Sequence, residues 1–577
     1  MIFFKIFFLL LKFLIEEIKL LKTEIVNFFI FFKEYNVLNI LFRIFFSKKK
    51  LNIFKINQIN KFISLNYKNI NPIIGKNSKK IFVESFINHP IYTIQNCIIA
   101  ANTSKILNLK CCGILRKGDL KSKEILNSFG INEVVYIDKG NPFSRFVYLI
   151  KAFNLLYNLK NLESLIKLKI DDIEIGRSTY DQYLRFKKNP AVKSIVLDFY
   201  FMLSQALHYN YQFKNLFYKN KNTYLIQSET QYFPLSLCLM NAIKFGNRII
   251  SRRGEVAKIG LKIFSKNKNN YKENRNRPSI EAFNLVERNL KKNKIQIKNK
   301  KKYFNLNIGK EIFQNIQKNE SNKIYKSKKH VYEYFNFDKK KPIVLILAHE
   351  LSDGNMNNSW NLFNNDLIWL EETLKKISGI NNVNWIIKPH PSENVFNNKI
   401  KTKNIFNRLI KDKKNISLFP DTYNIKNFYK YISAAVSSHG SAGFEYPLKS
   451  IPTILCGEST CSGFGFNIEP KTKKNYFNIL KKIHKIKKLN NNKIFKCFIF
   501  NYLIKYISLE HVPVSFETDI TMDFDKQKFW RKTYNLSKKK GIFYKPFYDS
   551  LKFQLINDNS YYINLNKLKK LNFSNKK

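Results

Sequence analysis

The sequence is poor in arginine, and this scarcity limits what its strong positive charge can mean. Only 13 of the 101 basic residues are arginine, against a formal net charge of +59. Base readout and bidentate phosphate clamps favour arginine over lysine, and the sequence shows no nucleic-acid motif that can be read from spacing. We therefore attribute the charge mainly to lysine-rich composition, as an AT-rich genome would produce. Attraction to an anionic membrane surface is the second interpretation, and no specific nucleic-acid partner is expected.

Cysteine is also scarce. Seven cysteines occur, none of them in a Cys-x-x-Cys pair, and their number is odd. This pattern argues against a disulfide framework and favours a reduced cytoplasmic chain in which the thiols are structural. A metal site built from cysteine is not expected. The residues are Cys97, Cys111, Cys112, Cys238, Cys456, Cys461 and Cys497.

Long uncharged apolar runs are missing as well. A membrane-spanning helix needs about 20 mostly apolar residues, whereas charged residues interrupt the apolar stretch 1–46 throughout. Lys5, Lys12, Glu16 and Lys19 share one stripe of a helix whose remaining surface is apolar. This pattern predicts amphipathic membrane-interface helices over 1–50, with lysines reaching the head groups. No small-residue cleavage site follows, which argues against a secretory signal peptide. Packing on the protein's own core and a true membrane span are the alternatives.

Short apolar strands alternate with helical stretches over most of the remaining chain. This alternation predicts βαβ units and parallel sheets, hence two Rossmann-like domains facing a cleft. The Lys- and Asn-rich stretch between them is predicted to be a linker, helical at first and then solvated. The predicted parts are the first domain at 51–254, the linker at 255–335, the second domain at 336–510, and a helical segment with a basic tail at 511–577.

The segment Trp385-Ile-Ile-Lys-Pro-His-Pro-Ser392 is predicted to be a strand that runs into a helix start. Its prolines fix the backbone and stop the strand. His390, followed by Pro391, is then presented at the carboxyl end of a strand, where open α/β sheets bind their ligands. The imidazole can hydrogen-bond a phosphate or help a leaving group depart, and Lys388 adds positive charge. A purely structural histidine is the alternative.

The segment Ala434-Ala-Val-Ser-Ser-His-Gly-Ser-Ala-Gly-Phe-Glu-Tyr-Pro447 has the same strand-to-helix pattern. Its small residues allow a ligand to approach the backbone closely. The helix predicted after Gly440 would direct free N–H groups at an anion, and a carboxylate one turn later suits the hydroxyls of a ribose. A tight turn that needs glycine only for steric reasons is the alternative. The residues predicted to bind the nucleotide here are Ser438, His439, Gly440, Ser441, Gly443 and Glu445.

Further candidates lie at other predicted strand ends. His349 and Asp353 follow the first strand of the second domain and are predicted to contact phosphate or acceptor, with loop capping as the alternative. An inverting transfer needs a base near the acceptor hydroxyl, for which Glu229, Asp172 and Asp181 of the first domain are the candidates.

At these residues the chain resembles bacterial surface-polysaccharide glycosyltransferases of the GT-B fold, and in particular the capsule polysaccharide biosynthesis family that includes Kdo transferases. The resemblance covers roughly residues 85–250 and 335–560. It implies that His390 and Pro391 contact CMP, that the first domain takes the acceptor, and that the second takes the nucleotide sugar. It also implies that no metal is needed, and the adjacent pair Asp171-Asp172 lacks the Asp-x-Asp spacing of metal-binding transferases. The matching segments are Lys388-Pro-His-Pro391, Gly440–Pro447, Phe363–Thr373 and Ile175–Asp181.

The leading interpretation is a bacterial, membrane-associated enzyme of capsular or lipopolysaccharide synthesis, cytoplasmic and peripheral to the inner membrane. It would move a sugar from a nucleotide-activated donor, predicted to be CMP-linked, to a glycan or glycolipid acceptor, with no further cofactor. A UDP-sugar 2-epimerase-like enzyme or a glycerophosphotransferase using CDP-glycerol would keep the fold and change the chemistry. A non-catalytic basic scaffold at the membrane surface is the alternative of another class.

Overall fold

The computed structural model describes residues 2–46, 52–69, 79–87, 89–254, 258–292, 327–354, 359–395, 398–410, 412–420, 425–515 and 526–573. Most of the predicted linker, 293–326, lies outside these residues. The chain folds into two α/β domains of the GT-B type, each with a mainly parallel sheet, and an amino-terminal helical segment lies against the first domain.

The first sheet has the strand order β12-β6-β5-β4-β1-β2-β3. The neighbouring strands from β5 to β3 are parallel, whereas β6 pairs antiparallel with both β5 and β12. Its strands are β1 (Lys80–Ser85), β2 (Lys110–Leu115), β3 (Glu133–Tyr136), β4 (Tyr224–Gln227), β5 (Arg248–Arg253), β6 (Lys258–Phe264) and β12 (Glu510–His511).

Helices that cover this sheet run antiparallel to its strands, as βαβ connections require. The amino-terminal helices are α1 (Ile2–Glu34), α2 (Val37–Phe46) and α3 (Asn57–Asn69). Those between the strands are α4 (Pro90–Leu107), α5 (Leu120–Ser128), α6 (Pro142–Tyr157), α7 (Leu162–Ile166), α8 (Ile175–Lys187), α9 (Leu197–Lys219) and α10 (Leu235–Lys244), and α11 (Ile280–Lys292) follows β6.

The second sheet is parallel throughout, in the order β11-β10-β7-β8-β9. Its strands are β7 (Ile343–Leu347), β8 (Asn384–Lys388), β9 (Ile416–Leu418), β10 (Ile432–Ser437) and β11 (Thr453–Leu455). The helices here are α12 (Lys328–Tyr334), α13 (Asp366–Ile377), α14 (Ser392–Val395), α15 (Thr402–Leu409), α16 (Ala442–Glu445), α17 (Lys473–Lys481) and α18 (Asn491–Tyr502), followed by α19 (Lys526–Lys540), α20 (Lys545–Ile556) and α21 (Leu565–Phe573).

The strands predicted within 385–392 and 434–447 are confirmed as β8 and β10, which are buried along nearly their whole length. Helix α13 starts at Asp366. The side chain of Asn365 accepts a hydrogen bond from the backbone N–H of Ile368 at 2.8 Å and so caps the helix there.

Both sheets have a point at which the direction of strand addition reverses. In the first sheet it lies between β1 and β4, and in the second between β7 and β10. Ligands of open α/β sheets bind outside the carboxyl ends of the strands at such a switch point. The carboxyl ends of β5 and β10 line a common cavity between the domains, so the two edges face each other.

The first domain extends past residue 254, where the linker was predicted to begin. Strand β6 pairs with β5 and is buried along nearly its whole length. The sequence did not indicate β6 as a strand because lysines interrupt its apolar residues. Lys262 is nevertheless only 1% exposed and pairs with Glu273 at 2.8 Å. The carboxyl-terminal segment also returns to this domain, since β12 pairs with β6 and Trp530 packs against Phe62.

Helix α1 contacts the protein through Lys12 and Glu17, whereas Lys19 and most of its apolar side chains face outward. Lys12 pairs with Asp198 at 2.5 Å, and Glu17 pairs with Arg145. The outward side chains are exposed large apolar residues, with Ile18 and Phe29 each 66% exposed. Among the described helices, none combines the length and apolarity that crossing a bilayer would require.

Candidate functional site

Three of the eight histidines of the chain meet at the switch point of the second sheet. His349 follows β7, His390 follows β8, and His439 follows β10. The ring centre of His349 lies 3.8 Å from that of His439 and 5.5 Å from that of His390. All three are distant in sequence, so the parallel sheet alone brings them together.

Asp366 lies behind two of these rings. It is the first residue of α13 and is 1% exposed. Its Oδ2 is 3.3 Å from Nδ1 of His349, and its Oδ1 is 3.5 Å from Nδ1 of His439. Since both rings turn Nδ1 to the carboxylate, their Nε2 atoms face the opposite way. Nε2 of His349 lies 3.5 Å from the place a Cβ would occupy on Gly440.

The Asp366 carboxylate affects the protonation of the three histidines unequally. Burial would lower the pKa of His349, but Asp366 outweighs it and raises that pKa to about 9. Burial, reinforced by the charge on His349, lowers the pKa of His439 to about 4 and that of His390 to about 3. At neutral pH the cluster therefore carries one imidazolium and two neutral imidazoles.

His390 is held from behind by a second buried carboxylate. Its Nδ1 accepts a hydrogen bond from the backbone N–H of Ser392 at 3.2 Å, and Ser392 Oγ donates to Glu350 at 2.7 Å. Nδ1 also contacts the hydroxyl of Ser392, so both contacts of the ring with Ser392 are made by Nδ1, and Nε2 faces away from them. Lys388 is nearly buried at the end of β8, beside Pro389. The Lys388-Pro-His-Pro391 segment thus presents a neutral imidazole next to the charged His349.

A cavity of about 300 Å³ opens beside His439, between the two domains. The second domain contributes the loop after β10, and the first contributes the end of β5. Gly440, which has a φ of +97° and so favours glycine, puts bare backbone on the cavity wall. The residues that line it and carry polar side chains include Arg253, Asn274, His439, Ser441, Thr460 and Lys505.

The residues predicted to bind the nucleotide after β10 fall into two groups. His439, Gly440 and Ser441 line the cavity. Ser438 is buried beside them, with its carbonyl accepting a hydrogen bond from Cys456, while Gly443 and Glu445 are not among the lining residues. The predicted helix is a single turn of four residues, too short for the dipole argument that suggested an anion at its start.

Asp353 contacts the first domain rather than open solvent. Its Oδ1 accepts a hydrogen bond from Tyr232 Oη at 2.7 Å and pairs with Arg185 at 3.3 Å. Burial, together with this carboxylate, raises the pKa of Tyr232 well above its usual value. Asp353 thus joins the two domains at the rim of the cleft.

The three candidate bases of the first domain are dispersed. Glu229 pairs with Arg275, and the fully buried Asp181 pairs with Arg177 at 3.0 Å. Asp172 is exposed in a turn whose neighbour Asp171 contacts Lys244, the last residue of α10. Helix α10 precedes β5, so this turn lies at the amino edge of the sheet, away from the cleft.

Sequence reasoning missed Glu84, the penultimate residue of β1 at the switch point of the first sheet. It is 1% exposed and accepts hydrogen bonds from the backbone N–H groups of Phe86 and Ser228. Burial raises the pKa of Glu84 to about 7. It ties the end of β1 to the loop that carries Glu229. A strand ending in Val-Glu-Ser was the available signal.

The cluster of His349, Asp366 and His439 also has the donor set of a metal site, with its ligand atoms within 4.8 Å of one another. Two imidazoles on one tetrahedral ion, with bonds of about 2.0–2.1 Å, would have ring centres about 5 Å apart. The observed separation is 3.8 Å. As placed, the rings fit a shared carboxylate and proton better than an ion.

No family model matches the sequence, and no curated protein matches it. Among solved structures, a KpsC β-Kdo 2,7 transferase of Thermosulfurimonas dismutans is 12% identical over 56% of this chain and 88% of its own, with a TM-score of 0.28. A glycosyltransferase from Rickettsia africae is 13% identical over 81% of this chain and 100% of its own, with a TM-score of 0.23. A UDP-GlcNAc 2-epimerase from Neisseria meningitidis is 12% identical over 83% and 100%, with a TM-score of 0.17. At these scores the likenesses decide neither fold nor activity, which rest on the geometry above.

Proposed function

We propose that this protein is a metal-independent glycosyltransferase of bacterial surface-polysaccharide synthesis. It takes a sugar from a nucleotide-activated donor, CMP-linked by the resemblance of its sequence motifs, and passes it to a glycan or lipid-linked acceptor. The observation that carries this proposal is the histidine cluster at the switch point of the second sheet, beside a cavity between two facing domains.

In this proposal the cluster stabilises the departing nucleotide. When the bond between sugar and phosphate oxygen breaks, negative charge grows on the phosphate. His349, kept protonated by Asp366, donates from Nε2 to that phosphate, and the neutral ring of His390 lies beside it. Charged donors fixed before the reaction lower the barrier because they need no reorganisation. The nucleoside occupies the cavity lined by His439, Gly440 and Ser441.

Nucleotide binding tests the proposal directly. The full chain would be heated with CMP, CDP, UDP, GDP or ADP, and its unfolding midpoint recorded. Ligand at 100 times its dissociation constant stabilises the folded state by about 2.7 kcal/mol, which raises the midpoint measurably. We expect a shift with CMP that His390→Ala removes. His484→Ala, which changes a histidine on the exposed surface of the same domain, should keep it.

The other outcomes separate the alternatives. A shift with UDP alone would support the same binding site but indicate an enzyme that uses a UDP-sugar. A shift with CDP but not CMP would favour a glycerophosphotransferase. No shift with any nucleotide would contradict the proposal and favour a basic scaffold.

We further propose that α1 holds the protein on the cytoplasmic face of the inner membrane. Its outward side chains are apolar and lie beside exposed lysines, the pattern of an interfacial helix. Leu14→Glu with Ile18→Glu should strongly reduce sedimentation with lipid vesicles. Tyr218→Glu with Ile556→Glu changes equally exposed residues elsewhere and should not.

A further inference from the structure

Helix α1 lies across the carboxyl edge of the first sheet. Its acidic and basic residues pair with the first turns of three helices: Glu34 with Lys121 of α5, Glu17 with Arg145 of α6, and Lys12 with Asp198 of α9. These helices run antiparallel to the strands, so their first turns lie where the strands end. The acceptor edge of the first domain is thus directly beneath α1.

A cavity of about 450 Å³ lies between α1 and this edge. Lys12 forms its wall on the α1 side, and residues after the ends of β2, β3 and β4 form the opposite wall. Its lining combines basic groups and aromatic faces with two carboxylates, Glu16 and Asp198. The basic and aromatic residues among them are Lys12, Arg116, Lys139, Lys187, Phe186 and Phe233.

The positive charge in this cavity is only partly neutralised. Lys12 and Lys187 both pair with Asp198, at 2.5 Å and 3.0 Å. Arg116 and Lys139 have no ion-pair partner among the residues the structure describes. Burial lowers the pKa of Lys139, and the charges of Arg116 and Arg145 lower it further, outweighing the opposing effect of Glu16. Two cations that repel each other at a cavity wall favour an anion between them.

The outer face of α1 indicates where that anion is anchored. The helix pairs Lys12, Glu17 and Glu34 with the protein and leaves most of its apolar side chains exposed, for example Leu21 at 58% and Phe28 at 59%. A lipid surface covers such a face and also attracts the lysines beside it. The cavity would then open at the depth of the lipid head groups.

We infer that the cavity between α1 and the first sheet binds the anionic head group of a lipid-anchored acceptor, with Arg116 and Lys139 holding its phosphate. This inference rests on the proposed transferase function, whose acceptor it specifies. The aromatic side chains Phe186 and Phe233 supply the faces on which a sugar ring packs. The anchored acceptor would reach the cleft from the membrane side.

Vesicle binding of the full chain tests the inference. Vesicles of phosphatidylcholine alone would be compared with vesicles that also contain phosphatidic acid, for the wild type, Arg116→Gln with Lys139→Gln, and Lys22→Gln with Lys33→Gln. The last pair removes the same charge from exposed positions on α1 outside the cavity. We expect the cavity variant to lose its preference for phosphatidic acid by about tenfold or more, which corresponds to about 1.4 kcal/mol. The control pair should lose clearly less.

Two results would overturn the inference. Equal losses in both double variants would indicate diffuse surface charge, and no loss in the cavity variant would indicate no site. Unfolding midpoints of all variants, with and without CMP, exclude misfolding. They also show separately whether nucleotide binding, and with it the proposed function, fails.

Discussion

At the scale of single residues, Asp366 decides the charge of the candidate site. One buried carboxylate serves two imidazoles, so only His349 is held protonated, while His439 and His390 stay neutral. A charged imidazolium and two neutral imidazoles then lie side by side. This division suits a ligand whose negative charge increases during the reaction.

The charge on His349 predicts how nucleotide binding depends on pH. The imidazolium persists until pH approaches 9, so affinity for CMP should be constant between pH 7 and 8 and fall by roughly tenfold by pH 10, since hydrogen bonds to charged groups contribute about 1.5–3 kcal/mol. The cause is the raised pKa of His349. Calorimetric titration of the wild type against His349→Gln checks this. The same decline in the variant would contradict it.

The same pKa shift has a consequence for stability. His349 binds its proton more tightly in the folded state than in the unfolded one, where the pKa is 6.5. Its stabilising contribution is therefore complete below pH 6.5 and is lost as pH rises through 9. His390 and His439 act in the opposite sense, because burial lowers their pKa values and the unfolded chain gains protons below pH 6.5.

Replacing Asp366 by asparagine should damage both stability and binding. Breaking a buried ion pair by removing one partner costs about 3–5 kcal/mol, and His349 would lose the charge that faces the ligand. Urea unfolding and CMP titration at pH 7.5 measure the two effects. Asp412→Asn, at an exposed position in the same domain, should change stability by less than about 0.5 kcal/mol.

The sequence predicted the histidines but not the residue that orients them. His349, His390 and His439 each follow a buried strand, and strand ends can be found from apolar runs. Asp366 was not among the predicted site residues, although it lies in the matching segment Phe363–Thr373. Its role depends on the helix starting at Asn365 and on which strands are neighbours, neither of which local periodicity determines. Arg275, the partner of Glu229, was hidden in a Lys- and Asn-rich stretch for the same reason.

At the scale of elements, close packing explains better than ligand contact why residue 443 is a glycine. A Cβ at this position would lie 2.4 Å from Cys461 Sγ and 2.9 Å from Leu455 Cδ1. The glycine thus lets α16 lie directly against β11 and the loop after it. The sequence correctly indicated a glycine-dependent strand-to-helix turn, whereas the length of the helix could not be predicted.

Gly443→Ala should therefore destabilise the second domain by about 1–3 kcal/mol, the usual cost of overpacking. Gly379 offers the matched control, because nothing lies within 4 Å of the place its Cβ would occupy and its φ is not positive. Gly379→Ala should be neutral or stabilising by up to about 1 kcal/mol. Urea unfolding of both variants measures the difference, and equal effects would contradict the packing argument.

At the scale of the whole molecule, the segment after β6 connects the two domains through two arginines that are two positions apart. Arg275 pairs with Glu229 of the first domain, and Arg277 pairs at 2.8 Å with Glu458 of the second. The side chain of Glu458 is fully buried and also accepts a hydrogen bond from the N–H of Ser359 at 2.6 Å. The segment predicted as a linker thus sets the separation of the domains.

Arg277→Ala should be strongly destabilising, by about 3–5 kcal/mol, because it leaves the Glu458 carboxylate buried without its partner. Lys291→Ala removes a cation from an exposed pair with Glu287 and should cost at most about 1 kcal/mol. Unfolding in urea distinguishes them. Equal costs would mean that the Arg277 pair is solvated.

Domain order was predictable from the alternation of strands and helices, but domain membership was not. Strands β6 and β12 join a sheet whose other strands lie far away in sequence, and only pairing identifies them. The apolar positions of α19 and α20 correctly indicated anchors such as Trp530 and Phe547. The surface they cover, around Phe62 and Ile94, could not be inferred.

The return of the carboxyl-terminal segment to the first domain affects how the protein is made. Trp530 and Phe547 complete a core that begins at β1, about 450 residues earlier in the chain. At about 5–20 residues per second, a ribosome needs about 20–90 seconds to cover that distance. Throughout this time the apolar surface of α3 and α4 lacks its cover, although most of the domain has emerged. We therefore expect the nascent chain to depend on a chaperone until α20 has been synthesised.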